Sequence, residues 1–240
     1  MLYLTTDLKA YNINAQDGEM GKIHDLYFDD KKWAIRYAVV DARKWLPSRR
    51  VLLSPASFEK MDEQGKMVDV KHDKETVRNS PSIPSDSAIS EDMEIALTGY
   101  YGWSRYWMGS MLWGDQDSPI SHFHNDSEAK ASFRNEAQLN EGKKDYNLRS
   151  EEETLEYRVH ANDGKIGKVT DMVFDDEYWK IRYLVVQMDD FPSGEKMFVF
   201  TPETIQSVDW FEGDIYADVE LEALKQQKSF GSKEAIISSL

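Results

Sequence analysis

Residues 11–40 read YNINAQDGEMGKIHDLYFDDKKWAIRYAVV, and residues 157–186 read YRVHANDGKIGKVTDMVFDDEYWKIRYLVV. A shift of 157 − 11 = 146 positions aligns the two stretches without a gap, and sixteen of the thirty positions are identical. An internal repeat decides the fold before any other feature is considered. Two copies with a long spacer between them predict two like units rather than a solenoid.

The repeated residues predict strands and tight turns. Alternating apolar residues lead into Asp17-Gly18, which favours a hairpin turn because glycine accepts a positive φ. Gly21 falls in the returning strand, where a glycine marks a bulge or a close backbone approach. Asp29-Asp30 predicts the next turn, and Trp33 to Val40 predicts a strand that is buried on at least one face. The shared residues that define the repeat include Asp17, Gly18, Gly21, Asp25, Asp29, Asp30, Trp33, Arg36 and Tyr37 in the first copy, and Asp163, Gly164, Gly167, Asp171, Asp175, Asp176, Trp179, Arg182 and Tyr183 in the second.

Further strands and a charged helical tail follow in each copy. A fourth strand ends before a proline, and a fifth strand comes after it. These strands are predicted at 50–53 and 67–70 in the first copy, and at 197–200 and 215–219 in the second. Helical tails are predicted at 72–77 and 220–225. About five short strands with closely spaced turns favour a small closed or half-closed barrel in each copy.

These residues resemble a known family. Asp-Gly-x-x-Gly-Lys, a strand ending in Phe-Asp-Asp and then Trp-x-Ile-Arg-Tyr-x-Val-Val are similar to the PRC-barrel domain, which is named after the photosynthetic reaction centre H subunit and also occurs in ribosome maturation factors. The entry Asn147 to Ser150 and the aromatic stretch Tyr100 to Trp107 resemble those of bacterial proteins with two such domains.

The resemblance implies a mainly β fold with short helices: two PRC-barrel-like small β-barrels in tandem, joined by a long, partly helical, aromatic-rich linker. The expected divisions are 1–80 for the first domain, 81–146 for the linker, and 147–240 for the second domain with its C-terminal helix. Family members act as small binding or assembly modules, but fold alone does not transfer a function. The membrane helix of the reaction-centre subunit and the additional domain of the ribosome factor have no counterpart in this sequence, so we do not carry over either role.

The spacer between the copies carries an unusual aromatic segment. After a linker at 81–87, Ser90 can cap a short helix that reaches Leu97. Large apolar side chains then crowd together, and side chains of this kind are rarely left in water. We call this segment the arm; its residues are Tyr100, Tyr101, Trp103, Tyr106, Trp107 and Trp113. Three roles of the arm stay open: packing on a barrel or on a second copy of the chain, docking of a partner, or anchoring at a membrane surface. Residues 127–153 are charged and predicted to be largely mobile.

Composition excludes several classes of function. The formal charge of −15 argues against nucleic-acid binding, which depends on Lys and Arg. The absence of cysteine excludes disulfides, thiol catalysis and Cys-ligated metals. No signal peptide and no apolar run of membrane-spanning length is found. We therefore expect an acidic cytoplasmic protein without an integral membrane segment.

Candidate sites have simpler structural explanations. The Asp29-Asp30 and Asp175-Asp176 pairs suit turn capping better than calcium binding or catalysis. Arg36 and Arg182, set within apolar strands, need a partner; we expect salt bridges to Asp25 and Asp171, with anion binding as the alternative. The repeated Trp and Tyr residues are expected in the core rather than as a stacking platform for bases. His122 and His124 form a pair that is too small for a structural metal site. No catalytic residue, metal site or cofactor is predicted.

The sequence therefore favours a non-enzymatic interaction or assembly module that forms a homodimer and binds a protein partner not identified by the sequence. The alternative is a small-ligand, anion or metal-binding protein, tied to reaction-centre or stress physiology by family analogy alone. An enzyme is disfavoured because no pattern supplies a nucleophile together with its base.

Overall fold

The computed structural model describes residues 1–44, 46, 49–84, 88–120, 147–188 and 196–240. The fold is mainly β, with two sheets and a few short helices, as the sequence predicts. The strands are β1 (Leu2–Leu4), β2 (Asn12–Ala15), β3 (Gly18–Asp29), β4 (Ala34–Asp41), β5 (Arg49–Leu53), β6 (Phe58–Asp62), β7 (Met67–Val70), β8 (Ile83–Pro84), β9 (Leu148–Ser150), β10 (Arg158–Ala161), β11 (Gly164–Asp175), β12 (Ile181–Met188), β13 (Lys196–Phe200), β14 (Ile205–Asp209) and β15 (Asp214–Ala217). The helices are α1 (Thr5–Leu8), α2 (Lys74–Arg78), α3 (Glu91–Tyr101), α4 (Glu151–Thr154), α5 (Leu221–Gln226) and α6 (Lys233–Ile237).

Each half builds a sheet with the same strand order. The first runs β6-β7-β2-β3-β4-β5 and the second runs β14-β15-β10-β11-β12-β13. Strand β8 is added beside β5 in the first half, and an isolated bridge between Met197 and Phe230 lies beside β13 in the second. Strands β6 and β14 come in addition to the five per half that the sequence predicts. Charged and polar residues make up most of β6, so its pattern does not show the continuous apolar run that marks β4.

The entry strands are exchanged between the halves. Strand β1 of the first half pairs with β11 of the second, with Leu2 opposite Asp175. Strand β9 of the second half pairs with β3 of the first, with Leu148 opposite Asp29. The two pairings differ by 146 positions on both sides, so a two-fold relation within one chain links them.

The buried aspartates Asp25 and Asp171 receive the exchanged segments. Asp25 accepts hydrogen bonds from the Ser150 hydroxyl (2.7 Å) and the Glu152 N–H (3.0 Å). Asp171 accepts from the Thr5 hydroxyl (3.1 Å) and the Thr6 N–H (3.2 Å) in the same manner. The predicted salt bridges from Arg36 to Asp25 and from Arg182 to Asp171 are therefore wrong. Both carboxylates accept hydrogen bonds from the start of a short helix of the other half, and Asp171 also pairs with Lys233 of α6 (2.6 Å).

The two aspartates of each Asp-Asp turn have different hydrogen-bond partners. Asp29 accepts N–H bonds from Lys31 (3.1 Å) and Lys32 (2.7 Å) within its own turn. Asp30 instead binds Arg149 on the exchanged β9, with its carboxylate 2.7 Å from Nε. In the second half Asp175 accepts the Tyr178 N–H (2.5 Å). Its neighbour Asp176 pairs with the amino group of Met1, ahead of the exchanged β1.

The tryptophan after each Asp-Asp turn is not in a strand. The predicted strand over 33–40 begins at Ala34 instead, and Trp33 has a φ of 54°. Trp179 has a φ of 56°. This left-handed conformation is costly for a bulky residue. It turns both tryptophan carbonyls towards the other half, where they accept N–H bonds from Ile181 (2.7 Å) and Ile35 (2.8 Å).

The glycines of the repeat serve tight backbone contacts. The hairpin loop consists of Gln16 and Asp17, and Gly18 follows it as the first paired residue with a φ of 121°. A Cβ on Gly21 would lie 2.1 Å from the Asp41 carbonyl oxygen, and one on Gly167 would lie 1.8 Å from that of Gln187. Gly21 and Gly167 are therefore needed where neighbouring backbones approach closely.

The predicted tails are short helices, α2 and α5, and α6 is an additional C-terminal helix that the sequence pattern did not separate from α5. No helix in the described part of the chain is long and apolar enough to cross a bilayer.

Candidate functional site

The arm lies against the chain itself. Ser90 caps the start of helix α3, where its hydroxyl accepts the Met93 N–H (3.3 Å), and Gly102 caps the end with a φ of 74°. Of the arm residues, Trp103, Tyr106 and Trp113 are buried, Tyr101 and Trp107 are half-buried, and Tyr100 is exposed. Helix α3 is longer than the predicted one, which reached only Leu97. Most of the arm's apolar surface is covered within the chain.

A hydrogen-bonded relay fixes the start of the arm. Trp103 Nε1 donates to the Ser57 hydroxyl (2.7 Å), and that hydroxyl lies 2.7 Å from His72 Nε2. Because the serine oxygen accepts a hydrogen bond from the indole N–H, the serine hydroxyl donates its own hydrogen bond to His72. Burial and the nearby Lys71 lower the pKa of His72, so the imidazole is a neutral acceptor near pH 7. Ser57 is fully buried beneath the indole and therefore has no access to a substrate.

Arg36 is clamped by the arm and by its own strand. Its Nε lies 2.7 Å from Asp29, and Nη2 binds the same carboxylate oxygen. The guanidinium lies 4.1 Å from the ring centre of Tyr106 and 4.7 Å from that of Trp113. Its remaining nitrogen, Nη1, has no hydrogen-bond acceptor among the described residues. The Asp29 carboxylate is the counter-ion of this buried charge, and the two ring faces add cation–π contacts.

The arm also touches the second half. Trp113 Nε1 donates to the Tyr178 carbonyl (2.8 Å), and the Ser118 hydroxyl donates to the Glu177 carbonyl (3.1 Å). The Arg36 site therefore lies where the first sheet, the arm and the second half meet.

A buried acid lies beside this clamp. Glu94 of α3 is 7% exposed, and its Oε1 accepts hydrogen bonds from Tyr37 (2.9 Å) and Tyr106 (2.7 Å). Burial raises the pKa of Glu94 to about 7, although the two phenols and Arg36 favour its charged form. Burial and the adjacent Glu94 raise the pKa of Tyr37 and Tyr106 well above their usual value, so both phenols stay protonated donors.

Glu94 lines a cavity of about 430 Å³ between α3, the arm and the exchanged β9. Tyr106, Trp107 and Leu148 supply its apolar surface. The other lining residues are Asp29, Lys31, Lys32, Ser90, Glu91 and Asn147. The cavity is a concave, mainly apolar site with a few polar groups, which is typical of a small-molecule site.

The described part of the second half lacks this arrangement, although its repeat residues are the same. Arg182 binds Asp175 through Nε (2.6 Å), but its side chain remains 37% exposed. Tyr183 is half-buried, whereas Tyr37 is fully buried. The candidate site is therefore found where the arm distinguishes the first half from the second.

The structure brings some of the predicted residues together and leaves others apart. It brings Arg36, which is paired with Asp29, into contact with Tyr106 and Trp113 of the arm. It places Asp17 and Asp163 at hairpin loops, where each accepts a backbone N–H of a following tail, from Lys74 and Leu221 respectively (both 2.9 Å). His122 and His124, and most of the segment predicted to be mobile, lie outside the described residues. Among the residues that are described, no three His, Cys, Asp or Glu side chains converge on a possible metal position.

Sequence reasoning missed Glu94 and Ser57. An acid in the first turns of a helix is ordinarily a solvent-facing, dipole-stabilising residue, so nothing local marked Glu94 as buried. The only available signal was the arm, which had to cover some surface of the chain.

A comparison of the chain with models of known protein families finds no match, and a comparison with curated proteins finds no similar sequence.

Proposed function

We propose that the protein is a non-enzymatic binding module built from two PRC-barrel-type units in tandem, and that it binds a small ligand in the cavity beneath the arm. The observation that carries this proposal is Glu94, a buried carboxyl that lines a mainly apolar cavity. The motifs of the repeat support the PRC-barrel assignment, and the equal strand order of the two sheets supports two like units.

The contacts of Ser57 and His72 favour binding over catalysis. They are a hydroxyl and an imidazole in hydrogen-bond contact, as nucleophilic catalysis requires. The serine oxygen is buried and occupied by Trp103, so the pair holds the arm in place. A binding role needs no further reacting group.

A thermal-shift screen with small amines, alcohols and carboxylates tests the proposal. Asn147 lines the cavity, and the backbone bond that it makes, from the Asp30 N–H to its carbonyl (2.9 Å), does not involve its side chain. Asn147→Trp should therefore fill the cavity while keeping β9 in place. We expect at least one compound to raise the melting temperature of the wild type and not of Asn147→Trp. If no compound does so, the ligand-binding function is overturned.

An assembly module is the second candidate. The exchanged strands favour it, because they show that each unit binds an edge strand that comes from outside it. The homodimer predicted from the sequence stays a prediction, since both exchanged strands find their partners within one chain. Light scattering that shows a concentration-independent monomer would remove the homodimer.

A further inference from the structure

One oxygen of Glu94 is left without a partner. Oε1 accepts both phenols, whereas Oε2 has no hydrogen bond to any residue in the described part of the chain. Oε2 is not one of the fully buried polar atoms that lack a partner, so it is accessible from the cavity. Because Glu94 lines the cavity, a molecule within the cavity can supply the donor.

The other acid groups of the cavity are already engaged. Asp29 has both carboxylate oxygens in use, one by the N–H groups of its turn and one by Arg36. Glu91 is exposed on the first turn of α3 and has interactions of its own. Glu94 is therefore the buried acid of the cavity that has an oxygen open to a new hydrogen bond.

The lysines that line the cavity do not neutralise Glu94. Lys32 donates its ammonium to the Met111 carbonyl, and Lys31 is exposed in the turn. Neither lysine is among the groups that shift the pKa of Glu94. Arg36 is the cation of the chain that faces this carboxyl, and it is paired with Asp29, so an additional cation must come from the ligand.

The remaining walls suit an apolar body. Trp107 meets Tyr106 edge to face at 4.9 Å between ring centres, and Leu148 of the exchanged β9 faces the same space. Aromatic rings beside an ammonium group add a favourable cation–π interaction.

We propose that the cavity binds an organic amine with an aromatic or apolar body, whose ammonium group donates to Glu94 and whose body packs on Trp107 and Leu148. This inference deepens the proposed ligand-binding function, on which it rests, by giving the class of the ligand.

Binding of an amine is coupled to the ionisation of Glu94. Because burial raises the pKa of this carboxyl to about 7, it is largely protonated at pH 6 and largely ionised at pH 8. An ammonium ligand requires the ionised form, so the affinity should rise about tenfold between these pH values. The charged and titratable groups that face Glu94 are Tyr37 and Arg36 from β4, Tyr106 from the arm and Glu91 from its own helix. The phenols do not titrate in this window, because their pKa values are raised well above 10.

Calorimetry of the full chain with two amines, phenethylamine and tryptamine, tests the ligand class. Phenylpropionate and phenylethanol serve as anionic and neutral counterparts of phenethylamine. Glu94→Gln is the matched variant, because its amide oxygen still accepts both phenols. We expect an amine to bind the wild type about tenfold more tightly at pH 8 than at pH 6, and Glu94→Gln to weaken binding at pH 8 and abolish this pH dependence.

The outcomes separate the two proposals. If phenylpropionate or phenylethanol binds as tightly as phenethylamine at pH 8, or if Glu94→Gln binds the amines as the wild type does, the amine inference is overturned while ligand binding survives. If the wild type binds neither the two amines nor the two counterparts, both the ligand class and the binding role of the cavity are overturned. Melting curves of Glu94→Gln show whether the variant is folded.

Discussion

At the scale of single residues, identical side chains acquire different properties from distant parts of the chain. Arg36 is fully buried between two aromatic rings, whereas its repeat equivalent Arg182 keeps more than a third of its side chain exposed. The sequence predicts that both arginines need a carboxylate. It could not select Asp29 over Asp25, because Asp25 is occupied by an exchanged helix that lies far away in the sequence.

The pH dependence of stability should report on Glu94. Its pKa in the folded protein is about 7, above the ordinary value of 4.5, so the folded state holds a proton that the unfolded state has already lost. The stability associated with this group is complete below pH 4.5 and is lost as the pH rises to about 7. The loss amounts to roughly 3 kcal/mol, at about 1.4 kcal/mol per pKa unit.

Urea unfolding of the wild type and of Glu94→Gln at pH 5 and pH 8 measures this effect. Glutamine keeps the acceptor for Tyr37 and Tyr106 and does not titrate. We expect the wild type to lose about 2.5 kcal/mol more than the variant between the two pH values, because part of the full loss has already occurred at pH 5. Parallel losses in both proteins would show that Glu94 ionises freely in the folded state.

At the scale of elements, the sequence predicted what local pattern encodes. The β-branched run of β4, the hairpin before β3 and the capped start of α3 were all marked by residue type and spacing. Residue type and spacing did not predict the exchange of β1 and β9, because a three-residue strand has no recognisable periodicity and its partner is far away in sequence. Nor did any local signal show which surface the arm covers.

The close approach of β3 and β4 gives an element-scale prediction. Gly21→Ala would place a Cβ 2.1 Å from the Asp41 carbonyl oxygen, so the strands must separate, at a cost of roughly 2–3 kcal/mol. Gly99 lies within α3, and a Cβ at this position would meet no atom within 4 Å. Gly99→Ala should therefore stabilise the protein by up to about 1 kcal/mol. Urea unfolding followed by tryptophan fluorescence compares the variants, and a Gly21→Ala protein as stable as the wild type would contradict the close approach.

At the scale of the whole molecule, one chain carries the two-fold arrangement that two subunits usually supply. Each half gives the other an entry strand and a short helix, and each receives them through the same aspartate position. The backbone also bridges the halves directly between Ala34 and Lys180, which are repeat equivalents. The arm distinguishes the first half from the second, and it helps to form the cavity in the first half.

Disulfide trapping tests the exchanged strands most directly. The chain has no cysteine, so an introduced pair is the only one that can form. Leu4 lies opposite Val173 of the second half. If β1 paired instead with its own half, the repeat shift of 146 places Tyr27 opposite Leu4. Neighbouring antiparallel Cα atoms are about 4.5–5.5 Å apart, within the range that a disulfide spans.

Mild oxidation of dilute protein, followed by non-reducing electrophoresis and peptide mass spectrometry, reads out the two pairs. The exchange predicts that Leu4→Cys with Val173→Cys forms a disulfide within one chain, and that Leu4→Cys with Tyr27→Cys stays reduced. A disulfide in the second pair but not in the first, or a first pair that links two chains, would contradict it.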